Sequence, residues 1–204
     1  MLARQICLAM LTLWSLSARA ADPWCSPHGR DVFSFAWTPV SKKDAQHGRV
    51  HITEAATGKT IQVLDDVENY YASDDAFGVG DLNHDGCPDL TIVSSVAAIG
   101  NESSTAYLYD SASRTFVLNA ALSDIGGLSP DPRDGNCVLG SWKGGAEDFY
   151  GSRSCWVKGK LVLQSESSVT PLVGQDGQLK CYQHIETKYR AGKKTRRKTC
   201  TKQL

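Results

Sequence analysis

The sequence has no long apolar run after its first twenty residues, no metal-type cysteine pair and little helical periodicity. Its longest later apolar stretch is about residues 91–99, roughly half of the ~20 residues that a membrane-spanning helix needs. No two cysteines have the Cys-x-x-Cys spacing typical of zinc or thioredoxin sites. Apolar residues do not recur at i, i+3, i+4 and i+7. A membrane span, a zinc or redox centre and a helical fold are therefore not expected.

The composition is that of a globular protein that is exported. The 204 residues include 41% hydrophobic residues and equal numbers of basic and acidic ones, 22 each, which excludes a disordered tail or a collagen-like fibre. Residues 1–20 combine Arg4, an apolar run over 6–16 and the small-residue site Ala18-Arg19-Ala20, the layout of a secretory signal peptide. We expect residues 21–204 to form one domain in the periplasm or outside the cell.

Charge is unevenly distributed along the chain. Residues 21–187 hold all 22 acidic residues and 12 basic ones, whereas residues 188–204 hold 8 basic residues and no acid. The predicted body therefore carries a net charge of −10 and the tail +8. A solvated basic hairpin is one interpretation of the tail, and a handle for an anionic surface is the other. Nucleic acid is not an expected partner, because no nucleic-acid-binding fold is recognisable.

The pattern of short β-branched and aromatic runs divided by glycine turns predicts an all-β protein. Turns at Thr57-Gly58, Lys158-Gly159, Asp176-Gly177 and Ala191-Gly192 predict consecutive antiparallel hairpins. We expect them to form a β-sandwich or an incomplete propeller-like domain, with residues 122–136 as the longest loop. The predicted strands are 32–37, 49–54, 60–64, 89–96, 106–110, 115–118, 137–142, 150–157, 160–164, 179–186 and 194–201.

Residues 81–89 have the spacing of a calcium-binding loop. Asp81, Asn83, Asp85 and Asp89 place oxygen side chains at positions 1, 3, 5 and 9, and Gly86 permits the sharp turn between them. The backbone carbonyl of Cys87 would supply position 7. Position 12 is Ile92 rather than the glutamate of an EF-hand, so the loop is expected to close at Asp89 and lead into a strand. The alternative is a turn whose side chains bond only to its own backbone.

Six cysteines follow the predicted signal peptide, and an even number in an exported protein predicts three disulfides among fifteen possible pairings. Residues that face each other across a hairpin have a constant sum, so pairing Cys137 with Cys155 centres a hairpin on Ala146. Cys181 and Cys200 flank the Ala191-Gly192 turn, with an offset that predicts a bulge. Cys25 and Cys87 are the remaining pair.

A family resemblance is carried by residues 71–77, the loop 81–89, Tyr107-Leu-Tyr109-Asp110, Arg114-Thr115-Phe116 and Leu122. These segments resemble bacterial periplasmic lysozyme-inhibitor-like proteins with a calcium loop, including immunity proteins that protect bacteria from peptidoglycan hydrolases delivered by type IV secretion systems. The resemblance covers roughly residues 31–190. It implies an antiparallel β fold, bound Ca²⁺ and a protein partner, a lysozyme-like peptidoglycan hydrolase whose cleft receives a protruding loop.

Residues 143–150 are the counterpart of that loop. Lys143 supplies a cation, Gly144 and Gly145 allow close backbone approach, and Phe149 and Tyr150 supply aromatic anchors. The alternative is a surface hairpin whose Trp142 and Tyr150 belong to the core.

Catalysis is not expected. The paired acids Asp65/Asp66, Asp74/Asp75 and Glu147/Asp148 are adjacent in sequence, and adjacent residues of a strand point to opposite faces. The sequence therefore predicts a calcium-binding inhibitor, or immunity protein, of a lysozyme-like hydrolase. The alternative is a calcium-stabilised adhesion or carbohydrate-binding β module without catalytic activity.

Overall fold

The computed structural model describes residues 22–26 and 32–203, and the predicted signal peptide lies outside them. The chain forms three consecutive antiparallel meanders, none of which closes on itself, so the predicted all-β fold is confirmed. Sheet 1 has three strands, sheet 2 has four and sheet 3 has six. The strands are β1 (Phe33–Pro39), β2 (His47–Glu54) and β3 (Thr60–Glu68) in sheet 1; β4 (Phe77–Gly80), β5 (Asp89–Val96), β6 (Glu102–Asp110) and β7 (Thr115–Leu118) in sheet 2; and β8 (Ser129–Pro130), β9 (Cys137–Lys143), β10 (Phe149–Val157), β11 (Lys160–Val173), β12 (Leu179–Arg190) and β13 (Lys193–Thr201) in sheet 3.

Sheet 2 is the middle layer because both of its faces are apolar. On strand β6, Tyr107 and Tyr109 pack into a first core shared with sheet 1, whereas Ala106 and Leu108, on the opposite face of the strand, pack into a second core with residues of sheet 3. This alternation is the two-residue period of a strand buried on both sides. Three stacked sheets thus share two cores, which agrees with a partial propeller-like arrangement.

The segment 22–26 is held in the first core by Trp24. Its ring is fully buried among Phe33, Tyr109 and Phe116, with ring centroids 4.7–6.1 Å away. The indole Nε1 donates a hydrogen bond of 2.6 Å to the carbonyl oxygen of Pro88. The next residue, Cys25, forms a disulfide with Cys87. This segment is therefore tied directly to the end of the predicted calcium loop.

Several predicted strand boundaries were wrong. Strand β4 was not predicted, because Phe77–Gly80 contains two glycines and alternates weakly. Strand β11 continues to Val173, well past the predicted end at 164, because it pairs with β12 over that whole length. The predicted long loop over 122–136 contains strand β8 and the end of a short helix, α1 (Ala120–Ser123).

The disulfides follow the pairs expected from the register. Cys137 lies directly opposite Cys155 in the β9–β10 ladder and is bonded to it, and the hairpin is centred on residue 146. Cys181 is bonded to Cys200, but the predicted bulge is absent. Cys200 instead faces Gln183, and the bond runs diagonally to Cys181 at the end of an unbroken ladder. A diagonal neighbour shares the same face of the sheet, so no extra residue is required.

A buried carboxylate fixes the segment before β9. The side chain of Asp131 is fully buried, and its oxygens accept hydrogen bonds from Arg153 Nε at 2.6 Å and Arg133 Nε at 3.2 Å. Arg153 also contacts Asp134 at 2.7 Å. The pKa of Asp131 is lowered to about 2, mainly by the hydrogen bond from Arg153.

In the described part of the chain, no helix is long and apolar enough to cross a membrane.

We predict that Arg153→Met lowers the free energy of unfolding by roughly 3 kcal/mol at neutral pH, because Asp131 loses its strongest counter-ion in a buried position. In the parent protein this carboxylate stabilises the fold above its unfolded pKa of about 3.9, and the contribution is lost as the pH falls from there to about 2. The variant should lose less stability over that acidic interval. Urea unfolding at several pH values measures both effects.

Arg49→Met is the matched control, because Arg49 pairs with Asp65 at 2.8 Å but both side chains are more than 60% exposed. An exposed pair contributes at most about 1 kcal/mol. Equal losses in the two variants would contradict the role assigned to Asp131.

Candidate functional site

The loop over residues 81–89 turns sharply where the sequence requires it. Gly86 has a φ of +86° and His84 a φ of +59°, both in the left-handed region. The carboxylate of Asp81 accepts hydrogen bonds from the backbone N–H groups of His84 and Gly86, at 2.6 and 3.0 Å. These bonds wrap the loop around its first carboxylate. The loop therefore has the turn expected of a nine-residue oxygen-ligand loop.

Asp89 closes this loop from inside the protein. Its side chain is completely buried, and its two oxygens accept hydrogen bonds from Leu82 N at 2.7 Å and from Tyr109 N at 2.9 Å. The pKa of Asp89 is raised to about 7, chiefly by burial and to a smaller extent by the nearby charges of Asp85 and Asp81, against the lowering effect of the two N–H bonds. A cation at this point would relieve the repulsion among the three carboxylates.

The donor set fits a hard cation. Three carboxylates, the amide of Asn83 and the carbonyl of Cys87 are oxygen donors of the kind that Ca²⁺ prefers. The carboxylate oxygens of Asp81, Asp85 and Asp89 do not all lie within 4.8 Å of one another, so the loop offers the donor chemistry without gathering these carboxylates into one cluster. Asp134, Cys137 and Cys155 do lie that close, but both cysteines are in a disulfide and cannot ligate as thiolates.

The second predicted site, the loop 143–150, lies at the tip of the β9–β10 hairpin. Strand β9 ends at Lys143 and β10 begins at Phe149, and a 3.0 Å hydrogen bond from Gly144 N to Asp148 O closes the turn. A side chain at 144 would approach the Tyr150 ring to 3.0 Å, so glycine lets that ring lie against the loop backbone. All five predicted partner-binding residues therefore belong to one tight loop.

Two distant side chains hold this loop in place. The amide of Asn101 makes two 2.8 Å bonds with the backbone of Lys143, one from its Nδ2 to the carbonyl and one from the Lys143 N–H to its Oδ1. The hydroxyl of Tyr182 donates a 2.9 Å bond to the Glu147 carboxylate, which raises the pKa of Tyr182. The loop is thus fixed from sheet 2 on one side and from β12 on the other.

Trp142 and Tyr150 do not belong to the core. Their rings stack nearly parallel, at 10° and a centroid distance of 5.7 Å, and Trp142 is 39% exposed. The pair is absent from both apolar clusters. The alternative that placed these two residues in the core is therefore wrong, and they form an aromatic platform on the surface of sheet 3.

The two predicted sites lie at opposite ends of the same hairpin. Trp156, next to the Cys137–Cys155 disulfide, donates a 2.8 Å hydrogen bond from its indole Nε1 to the carbonyl of Leu82 in the loop 81–89. The loop 143–150 is at the other end of β9 and β10. The structure therefore does not bring the two residue sets together, but it connects them through one pair of strands.

Sequence reasoning did not find Asn101, Tyr182 or the Asp131–Arg153 pair. Asn101 is 42 residues from its partner Lys143, and Tyr182 is 35 residues from Glu147. No local pattern marks such contacts, because they depend on how the sheets pack. The Gly100-Asn101 turn was the available indication of a residue with a special backbone position.

The fold resembles that of a protein of known structure. The fold is similar to that of a Xanthomonas protein described as related to a type IV secretion system, with a TM-score of 0.55 over 81% of this chain and 88% of that chain. The two sequences are 18% identical, so the likeness shows a shared fold. No protein-family model matches the sequence, and no curated protein matches it.

We predict that Asn101→Ala loosens the loop 143–150 while the rest of the fold is kept. Loss of two hydrogen bonds should lower the free energy of unfolding by about 1–2 kcal/mol. Hydrogen–deuterium exchange of the amides at 143–148 should become faster. In the control Asn136→Ala, a 2.9 Å bond to the Trp156 carbonyl is lost at the base of the hairpin, and exchange in the loop should not change. Unchanged hydrogen exchange of the loop amides in Asn101→Ala would show that the two Asn101–Lys143 hydrogen bonds, the Asn101 clamp, do not order the loop.

Proposed function

We propose that this protein is a periplasmic or secreted, calcium-binding inhibitor of a lysozyme-like peptidoglycan hydrolase. The observation that carries the proposal is the loop 143–150, which is fixed in shape before any partner arrives. Its restraints are the disulfide at the hairpin base, the Asn101 clamp and the Tyr182–Glu147 bond. A loop ordered in advance loses less conformational entropy on binding. The fold shared with a protein described as related to type IV secretion supports an envelope location.

The chemistry of the loop suits a cleft lined by carboxyl groups. Glycosidase clefts of the lysozyme type carry two such groups. Lys143 is exposed and can place its ammonium near them, and the Gly144-Gly145 backbone allows close approach. Tyr150 and Phe149 are partly exposed at the start of β10 and supply anchoring area of the kind that dominates protein interfaces.

The loop also contains two acids, which would repel catalytic carboxylates if they faced them. Glu147 is directed towards Tyr182 on β12 by its hydrogen bond. That contact directs one of the two acids towards β12. The carboxylate of the other acid, Asp148, lies beside Gly145, so insertion of the loop with Lys143 leading requires Asp148 to stay at the rim of the cleft.

Calcium has a structural role in this proposal. The ion would be held by Asp81, Asn83, Asp85, Asp89 and the Cys87 carbonyl. Because the Leu82 carbonyl accepts the Trp156 hydrogen bond, an ordered calcium loop supports the base of the inhibitory hairpin. The Cys25–Cys87 disulfide attaches the segment 22–26 to the same loop.

The inhibitory contact is tested with the double variant Lys143→Ala, Tyr150→Ala. We expect it to weaken inhibition of a sensitive lysozyme-like hydrolase about 30-fold or more, because interface hot spots contribute at least about 2 kcal/mol. The melting temperature and calcium affinity should be nearly unchanged. A peptidoglycan turbidity assay with hydrolase alone, with parent protein and with the variant measures this.

Lys158→Ala is the control, since it removes the same charge at the β10–β11 turn, at the far end of the hairpin. It should inhibit as well as the parent. Equal inhibition by the double variant would place the contact elsewhere, and hydrolysis of peptidoglycan by the parent protein alone would instead indicate an enzyme.

Calcium binding is tested by calorimetry. When free Ca²⁺ is at one hundred times its dissociation constant, binding adds about 2.7 kcal/mol to the free energy of unfolding. For a chain of this size, the melting temperature should rise by roughly 5–10 °C. Asp85→Asn should weaken calcium binding by about tenfold or more, because the number of charged ligands sets the affinity.

Asp176→Asn provides a matched comparison in another turn. Asp176 Oδ1 accepts a bond from Gln178 N, two residues on, just as Asp85 Oδ1 accepts one from Cys87 N. This control should bind calcium like the parent. A melting temperature that does not respond to saturating calcium would show that the loop only satisfies its own backbone.

A further inference from the structure

A groove on one face of sheet 3 joins the aromatic platform to the basic edge strand. Trp142 and Tyr150 line one end of it, Lys194 and Arg196 of β13 line the other, and Ser167, Ser168, Ile185 and Thr187 lie between them. Every residue of β13 is exposed. Aromatic rings and cations, far apart in sequence, therefore share one surface.

The strand register explains why these residues share a face. Directly opposed residues of neighbouring antiparallel strands point to the same side of a sheet. Trp142 faces Tyr150, which faces Ser168, and that row continues through Ile185 to Lys198. The adjacent row ends with Thr187 facing Arg196. The face crosses five strands, or about 19 Å at the usual spacing between strands.

The groove is positively charged. Lys194, Arg196 and Lys198 all belong to this face, and Glu166 is the acid among the residues that line the groove. The Glu166 carboxylate accepts a hydrogen bond from the hydroxyl of Tyr189. The Tyr189 ring lies 5.5 Å from the Lys194 ammonium. Cations therefore outnumber acids on this face, and the Lys194 ammonium lies over the ring of Tyr189.

We propose that this groove binds a chain of acidic sugars, such as a uronic-acid polysaccharide. The apolar C–H face of a sugar ring can lie flat on the aromatic platform of Trp142 and Tyr150. Carboxylates along the chain then meet the guanidinium of Arg196 and the ammonium groups of Lys194 and Lys198. Serine and threonine hydroxyls between them can exchange hydrogen bonds with sugar hydroxyls.

The observations favour an acidic glycan over other anionic partners. A membrane surface or a nucleic-acid duplex would be drawn to cations on either face of β13, because these forces depend mainly on charge. The aromatic platform lies on one face alone, in the same groove as the cations. Such a site would attach the protein to an anionic surface polymer. The inference does not depend on inhibition of a hydrolase.

The test uses the alternation of β13 as its control. Lys194→Gln, Arg196→Gln removes two cations from the groove face, and Lys193→Gln, Arg197→Gln removes two from the opposite face of the same strand. Both variants change the net charge equally and alter only exposed residues. Isothermal calorimetry measures binding of oligogalacturonate to the full chain, and thermal melting checks the fold.

We expect the groove variant to lose about tenfold in affinity, the opposite-face variant to lose much less, and Trp142→Ala to lose affinity without any change in net charge. Methyl esterification of the oligosaccharide should weaken binding. Linear polyphosphate, which is anionic but has no sugar rings, should bind independently of Trp142.

Equal losses in the two charge variants would overturn the proposal, as would binding of oligogalacturonate that does not respond to Trp142→Ala. No measurable binding of oligogalacturonate to the parent protein would overturn it too. The two β13 charge variants do not bear on inhibition, because the hydrolase assay changes Lys143 and Tyr150 and none of the β13 cations. Tyr150 belongs to both surfaces, so the Trp142→Ala result is compared with oligogalacturonate binding alone.

Discussion

The buried carboxylate of Asp89 is the constraint on which much of the structure depends. Asp89 is the first residue of strand β5, and its two carboxylate oxygens accept hydrogen bonds from the backbone N–H groups of Leu82 and Tyr109. Leu82 belongs to the second core and Tyr109 to the first, so one side chain fixes the loop 81–89 between two packed layers. A buried carboxylate is tolerated only when its hydrogen bonds are satisfied. The same requirement makes the loop a suitable place for a cation.

A series of contacts connects the loop 81–89 to the tip of the β9–β10 hairpin. Trp156 bonds to the Leu82 carbonyl, and the Cys137–Cys155 disulfide closes the strands beside it. At the far end Asn101 holds the backbone of Lys143. Each of these contacts joins residues that are well separated in sequence, so the shape of the tip depends on how sheets 2 and 3 pack together. In the proposed inhibitory role, a loop supported in this way needs little rearrangement on binding.

Sheet 3 extends beyond the second core, which it shares with sheet 2. Strands β11 and β12 have 14 and 12 residues, and β13 at the edge is wholly exposed. Basic side chains on an edge strand discourage pairing with other chains, and here they also define two faces of different character. One face combines the cations with stacked aromatic rings, and the other combines them with His184 and Glu186. Long strands therefore give this protein surface area that its core does not use.

The sequence was enough to predict the fold class, the turns and the two cysteine pairs that span hairpins, because strand alternation, glycine positions and hairpin sums are local properties. The predicted geometry was right for Cys137–Cys155 and wrong for Cys181–Cys200, which are joined diagonally without a bulge. The sequence also placed five oxygen donors in one nine-residue loop, since that spacing lies within a single turn. It missed β4 and the second half of β11, whose pairing partners stabilise them more than their own residues do. Only the three-dimensional structure shows that Trp142 and Tyr150 lie at the surface, that Asn101 holds the backbone of Lys143 and that β13 shares a groove with the aromatic platform. These features arise from contacts between residues tens of positions apart, and such contacts depend on how the sheets pack rather than on local sequence.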